Sequence, residues 1–372
     1  MRIRKIEAIP VRYDMDYEIW DSLSCFSARQ AILVKITTDE GVTGYGESAY
    51  FGGPLDICKT IIDKELAPFF IGKDPFMNEG IWHAAYTSCV KNGRRGAVVA
   101  ALSGLDIAVW DIKGKACGQP VYKLLGGQRS RVEAYASAGF YAEGKDEAAL
   151  ADEMCKHRDA GFASMKMKVA YYGRETDLRR VLAVREALGS AVPLAIDANN
   201  NWNLCTAKWF VDHLCDANIA FVEEPLGIEN IADSAELCRY STIPIAGYEQ
   251  ETTKYGFAAL IQNRAIHIVQ PDVIWVGGFT EAKKVAAMAE AACMPCYPHS
   301  FSTGLCLAAN LQLMATLPTG LLEMDRNPNP LRDDLIRGEI AIDKHSMVTM
   351  PDKPGLGVEV DEQVIARFRI DR

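Results

Sequence analysis

From residue 131 the chain repeats one unit, a short apolar run followed by an amphipathic stretch of helical spacing. The apolar runs lie at 131–138, 163–169, 192–198, 220–224, 243–248, 265–271, 294–298 and 320–324. Stretches such as Lys145–Ala160, Glu175–Leu188 and Phe279–Ala292 separate them. Eight such units point to an α/β fold, a parallel (β/α)8 barrel rather than an open doubly wound sheet.

The residues before this repeat have another texture. Ile3-Arg4-Lys5-Ile6 and Ala31–Ile36 read as strands, with turn chemistry at Asp39-Glu40-Gly41 after the second. Residues 55–90 and 96–118 read as helices, the latter rich in Ala, Leu, Ile and Trp. The expected division is an N-terminal α+β domain over 1–125, a barrel over 126–325, and a segment over 326–372 that returns to the N-terminal domain. A chain of 372 residues has room for one large domain and a smaller one.

Charge narrows the partners. There are 40 basic and 49 acidic residues, a net charge of −9, and no run of five like charges. That argues against a nucleic-acid or anionic-membrane surface and for small-molecule ligands. No stretch reaches the 18 or so apolar residues of a membrane span. The basic start, Met1-Arg2-Ile3-Arg4-Lys5, has no apolar region of the signal-peptide kind after it. A cytoplasmic protein is therefore expected, with its 11 cysteines reduced. Cys293 and Cys296 have CxxC spacing, but no second pair or histidine couple accompanies them, so they read as packed thiols rather than a zinc site.

In a barrel of this kind the chemistry sits where strands end. Here seven consecutive strands end in ionisable groups: Lys166 and Lys168, Asp197, Glu223 and Glu224, Glu249, Asp272, His299, and Glu323 with Asp325. Charged residues are rarely buried without a partner or a task. Asp197, Glu223 and Glu249 follow one another at intervals of 26 residues, one β/α unit each, and should be neighbours on the rim. Three converging carboxylates without sulfur suit a hard cation such as Mg2+, with Asn199 or water completing the shell.

Lys166 and Lys168 are two apart on a strand, so both point into the barrel. Paired ammonium groups beside a metal are expected to lower each other's pKa, which would make a neutral lysine available as a general base. Asp272 and His299 end adjacent strands, and a carboxylate on one ring nitrogen fixes the tautomer of the imidazole. A substrate carboxylate on the metal would hold its α-carbon between these two bases. Glu323 would assist the resulting enediolate as a protonated hydrogen-bond donor. The whole is a site for removing a proton α to a carboxylate. A Schiff-base aldolase would use a barrel lysine without needing three adjacent carboxylates. A non-catalytic binding protein would be expected to lack at least one base.

Lys166-x-Lys168, Asp197-x-Asn199, Glu223-Glu224-Pro225, Glu249, Asp272, His299 and Glu323 together resemble the enolase superfamily, and within it the mandelate racemase subgroup. The helix Ala101–Lys115 and Leu124-Leu125-Gly126-Gly127 extend the resemblance to nearly the whole chain. It implies one essential Mg2+ on Asp197, Glu223 and Glu249. It implies Lys168 as base on one face with Lys166 tuning it, His299 supported by Asp272 on the other face, and Glu323 as electrophilic donor. It further implies two capping loops, here within 14–29 and 48–55; Tyr17 and Trp20 of the first, with Asn199, are the candidate substrate contacts. A homo-oligomer is expected on the same ground. One departure stands out: Tyr248 precedes Glu249 where the family usually has glycine, a bulky neighbour with the means to narrow the pocket or shift that ligand.

The subgroup's reactions diverge after proton abstraction. Dehydration of a sugar acid to a 2-keto-3-deoxy acid is the expectation here. Racemisation or epimerisation, and cycloisomerisation of a sugar-acid lactone, use the same residues. The acidic residues at 14–21 favour a monocarboxylate over a diacid, unless Arg94 or Arg95 reaches the pocket.

Overall fold

The computed structural model describes residues 1–338 and 340–371. The chain opens with a long antiparallel hairpin, β1 (Ile3–Trp20) and β2 (Cys25–Thr38), and β3 (Thr43–Ser48) completes a sheet in the order β1-β2-β3. The strands expected at Ile3–Ile6 and Ala31–Ile36 are the stems of much longer ones. The loop expected within residues 14–29 is the tip of this hairpin, with strand on either side of it. Asp14, Asp16 and Glu18 alternate with Met15, Tyr17 and Ile19, and a period of two carries the strand onward past a bulge between Asp14 and Ile19. The turn is confined to Asp21–Ser24, where Asp21 Oδ1 accepts the N–H groups of Leu23 and Ser24 at 2.8 and 2.7 Å.

Helical structure over 55–90 is broken. Helical turns run from Leu55 to Phe70 with a wider stretch at Ile61–Leu66, residues 71–74 interrupt them, and after Pro75 a regular helix resumes at Asn78–Cys89. The next helix, α1 (Ala97–Ala116), is mostly apolar and is buried from Val98 to Gly114 except at Trp110 and Lys113, which are half-buried. It lies directly on β3: a Cβ at Gly44 or Gly46 would run into the carbonyl oxygen of Ala108 or Gly104. Glycine at those two positions is what lets strand and helix backbones touch.

The larger layer is the barrel sheet, formed by β4 (Arg131–Ser137), β5 (Met165–Lys168), β6 (Leu194–Asp197), β7 (Ile219–Glu223), β8 (Ile245–Gly247), β9 (Ile268–Val269) and β10 (Leu322–Asp325). The strands are parallel, in the order β10-β4-β5-β6-β7-β8-β9. The run at 294–298 contributes a single bridge, Cys296 to Val269, because Pro295 and Pro298 lack the N–H groups a ladder needs. Val132, Ala134, Met165, Met167, Leu194, Ile196 and Val222 face the helices, and Tyr135, Ala195, Phe221, Ala246 and Ile268 form an apolar layer inside the barrel. Above that layer the inward positions turn polar: Ser137, Lys166, Lys168, Asp197, Glu223 and Gln270.

Helices α2 (Gly278–Ala291) and α3 (Gly304–Met314) cover the barrel beside the cap. Asp106 of α1 accepts from Thr280 of α2 through both N–H, 2.9 Å, and Oγ1, 2.5 Å. The C-terminal segment serves both layers. Strand β11 (Met347–Thr349) pairs antiparallel with β4, while α4 (Glu362–Phe368) leads to Ile370, whose N–H donates to Pro10 O of β1 at 3.1 Å. Among the described residues no helix is long and apolar enough to cross a membrane. Cys293 is exposed and Cys296 buried, both as free thiols.

Candidate active site

The inward polar layer is closed over by the cap. At the hairpin tip, Ser22 Oγ donates to Ala198 O at 2.8 Å, and Trp20 and Tyr141 exchange backbone hydrogen bonds at 2.9 Å. Phe26 of β2, Phe51 of the 48–55 loop and Phe140 gather around Phe301, with ring centroids 5.7, 6.1 and 5.5 Å from it. Lys168 Nζ lies 5.0 Å from the Phe140 ring. This aromatic roof leaves Lys166 and Lys168 almost without solvent contact, 1 and 6 % exposed.

Beneath the roof, β5 presents both lysines inward. Lys166 Nζ contacts Glu223 and Glu323, the latter at 2.8 Å, and lies 3.7 Å from Asp197. Lys168 Nζ pairs with Asp197 Oδ2. Burial works against both ammonium charges, but the surrounding carboxylates outweigh it, Glu223 foremost for Lys166 and Asp197 for Lys168. Both lysines are therefore held above their ordinary range. The cause is that the carboxylates here outnumber the lysines.

The same surplus appears on the carboxylates. Burial pushes Glu223 up to about 8, against the pull of Lys166 and with repulsion from Asp197, Glu323 and Glu249. Burial raises Glu249 as well. Glu224 is driven well above the carboxylate range by burial and by Glu249, Asp197 and Glu223. Asp197 is held low, Lys168 and Lys166 outweighing its burial. Glu323 is also held down, to about 2, because Lys166 and His299 overcome its burial. In this arrangement it is an ionised partner of Lys166, which corrects the expectation of a protonated donor.

On the far side, His299 Nδ1 meets Asp272 Oδ2 at 2.8 Å and Nε2 lies 3.1 Å from Glu249 Oε2. Burial alone would lower the imidazole, but Glu249, Glu323 and Asp272 carry it up to about 10.

The residues fit a hard cation. Asp197, Glu223, Glu224 and Glu249 converge on one end of the barrel, all buried or nearly so. Beside them two buried acceptor atoms, Asn199 Oδ1 and Gln270 Oε1, have no hydrogen-bond donor, and Glu249 Oε2 has no well-aligned one, His299 Nε2 lying 3.1 Å away. Orphaned acceptors amid excess carboxylate call for positive charge. Among the described residues no three potential ligand side chains are already drawn around one point. Lys166, between Asp197 and Glu223, and Lys168 on Asp197 take the place of counter-charge.

Tyr248 turns away from this centre. Its ring is buried in the helix layer and its hydroxyl meets Ser234 Oγ at 3.0 Å, so it does not narrow the pocket. Glu249 N–H donates to Glu224 Oε1 at 2.9 Å, which secures the strand end. Asn199 follows Asp197 closely, its N–H on Asp197 Oδ1 at 2.9 Å. Tyr17 is not brought in; it is 44 % exposed, set on the bulged outer part of β1. Trp20 reaches the mouth, half-buried against Tyr171, with its indole N–H unpartnered. Arg95 is turned outward to Glu229 and Glu251 at 3.0 and 3.1 Å, and Arg94 is exposed.

Sequence reasoning passed over several participants. Gln270 Nε2 holds Glu223 Oε2 at 2.6 Å, and its place at the end of the sixth strand was the available signal. Glu224 adjoins a proposed ligand. Asp21 lies buried at the hairpin tip near Lys168, and burial, countered by that lysine, raises its pKa. The aromatic roof draws on distant segments and left no local pattern.

Comparison with known proteins agrees with this architecture. Residues 14–126 match the mandelate racemase/muconate lactonizing enzyme N-terminal domain, and residues 149–364 match the enolase C-terminal domain-like family. The arabinonate dehydratase of Saccharolobus solfataricus is 37% identical over 340 residues, 91% of each chain. The D-galactarolactone cycloisomerase of Agrobacterium fabrum is 34% identical over 100% of this chain and 99% of its own. A racemase from Streptomyces coelicolor, solved with bound magnesium, superposes with a TM-score of 0.91 at 28% identity, covering 99% of this chain and 100% of its own.

Proposed function

The chain belongs to the mandelate racemase/muconate lactonizing enzyme family of the enolase superfamily, and from that premise we propose that it removes the α-proton of a sugar acid and eliminates the β-hydroxyl as water. The product is a 2-keto-3-deoxy acid. The reading is carried by one arrangement: a buried lysine pair and a buried Asp272–His299 pair flank a single carboxylate cluster.

Asp197, Glu223 and Glu249 would hold Mg2+. When bound, Mg2+ supplies charge stabilisation to a substrate carboxylate as its α-carbon is deprotonated. Once those three side chains share their charge with a cation, the coulombic hold on Lys168 weakens and its neutral amine becomes accessible. Lys168 then takes the α-proton. The C–H electron pair forms the C2–C3 double bond, the C3–O bond breaks, and His299 gives the departing hydroxyl its proton. The enol released becomes the keto acid. Lys166, fixed between Glu223 and Glu323, donates to the charge that develops on the substrate carboxylate. The roof of Phe26, Phe51, Phe140 and Phe301 excludes water meanwhile.

The test is a panel of arabinonate, D-galactonate and D-galactarolactone with the Mg2+-loaded enzyme in D2O, read by proton NMR and by semicarbazide for 2-keto acids. Keto acid from an aldonic acid supports the proposal. Keto acid formed from the lactone but from neither aldonic acid would move the protein to cycloisomerisation, in which the ring carboxylate rather than hydroxide leaves the β-carbon, a reading favoured by the full-length similarity to the Agrobacterium enzyme. α-Proton exchange alone would point to racemisation or epimerisation. Self-association, read by light scattering, and a cytoplasmic location, read by cell fractionation, are further parts of the proposal.

A further inference from the structure

Behind His299 the structure holds a chain of contacts that the proposed chemistry does not use. Asp272 Oδ2 is committed to His299. Its other oxygen, Oδ1, accepts Asn310 Nδ2 at 2.9 Å and the Ile274 N–H at 3.0 Å. Asn310 Oδ1 in turn accepts the Val273 N–H at 3.1 Å. The amide is thus engaged at both ends, its nitrogen on the carboxylate and its oxygen on the backbone next to it. Asp272 and Asn310 are both buried, so no water competes for these contacts. A carboxylate held this way cannot rotate to present its other oxygen to the imidazole.

Asn310 belongs to α3, and the cap seats that helix. Glu47, near the end of β3, places Oε2 against Thr303 Oγ1 at 2.5 Å and the Cys306 N–H at 2.9 Å. Thr303 is the N-cap of α3. Asn310 lies two turns further along, and its Nδ2 also reaches Cys306 O, the residue Glu47 holds, at 3.2 Å.

We propose that Asn310 is a positioning residue, which fixes Asp272 so that His299 keeps its proton on Nδ1 and presents Nε2 to the substrate, and that Glu47 of the cap seats the helix carrying it. The proposal rests on the reading of His299 as acid or base. It makes cap docking a requirement for a well-oriented imidazole.

The experiment uses the full-length, Mg2+-loaded protein with 15N-labelled histidine. The hydrogen-bonded Nδ1–H proton of His299 is assigned by its loss in His299→Asn. Asn310→Asp keeps an acceptor for Val273 but removes the donor to Asp272; Asn310→Ser is the milder variant, kept in case the first does not fold. Both are expected to lose or shift that resonance, and to lower kcat on D-galactonate about 10- to 100-fold with KM within about threefold, the size seen when partners that orient a reactive group are removed. A purely structural asparagine would lower Tm and leave both readouts unmoved, which would overturn the proposal. Glu47→Ala is expected to move the same resonance; an unmoved signal removes the cap from the proposal. If the wild type does not turn over D-galactonate, the dehydration reading fails on that substrate while the resonance still decides the role of Asn310.

Discussion

Arg29 of the cap hairpin and Asp325 at the end of β10 meet at 2.7 Å, though 296 positions apart in the chain, and both side chains are buried. Arg332 adds a second guanidinium 3.3 Å from Asp325, and the Phe301 ring lies 4.0 Å from the Arg29 carbon. This ion pair fastens the cap to the last barrel strand beside the aromatic roof. Removing one partner of a buried pair typically costs 3–5 kcal/mol, because the other charge is left without compensation. Arg29→Met should cost about 3 kcal/mol, the low end, since Arg332 remains. Urea denaturation with an unchanged m-value measures it. A loss below about 1 kcal/mol would mean that the pair contributes little.

The carboxylate cluster predicts stabilisation by metal. Mg2+ at about 100 times its Kd should raise the unfolding free energy by about 2.7 kcal/mol, and EDTA should reverse the gain. Asp197→Asn and Glu249→Gln should each abolish most of that increment. An increment unaltered by both would place the cation elsewhere.

Asp106 predicts a pH dependence of stability. Burial, opposed by its hydrogen bonds from Thr280, lifts it to about 7 in the folded protein, against an ordinary value of 3.8. The folded state therefore holds a proton that the unfolded state has released. The stability this provides is full below the unfolded value and is lost as pH rises toward 7, by up to about 1.4 kcal/mol per pH unit. Above pH 7 this contribution is flat. Asp106→Asn, which keeps an acceptor for the Thr280 N–H, should flatten the fall between pH 5 and 7. Equal slopes in the two proteins would show that Asp106 does not govern it.

Tyr248 predicts a separation of stability from metal binding. Its hydroxyl pairs with Ser234 in the helix layer, away from the carboxylates. Tyr248→Phe should cost about 1 kcal/mol of stability, the net worth of one buried hydrogen bond. Its affinity for Mg2+, measured calorimetrically, should stay within about twofold of the wild type. A tenfold loss would show that this side chain shapes the site after all.

Much of the candidate site was legible in the sequence because barrel topology converts periodicity into convergence. Strand ends of successive units must lie on one rim, so Asp197, Glu223 and Glu249 could be assigned to neighbouring positions from spacing alone. The i, i+2 relation put Lys166 and Lys168 on one face for the same kind of reason. The strand at 294–298 was overstated because apolar composition was read without the two prolines that thin its hydrogen bonds. Within residues 14–29 the loop shrinks to Asp21–Ser24, because the alternation from Asp14 to Ile19 carries the strand almost to the tip.

By itself, then, the sequence determined the order of the elements, the layer into which each catalytic candidate points, and the carboxylate-rich character of the centre. Those properties follow from local periodicity and from residue type. Only the tertiary structure decided the charge balance around Lys168 and Glu323, the outward turn of Arg95 and Tyr248, and the links Arg29–Asp325, Glu47–Cys306 and Asn310–Asp272. Each of these depends on which groups meet between separate elements, from 14 to 296 positions apart in the chain, and burial then sets their energies. Neither quantity is written in any local stretch of chain.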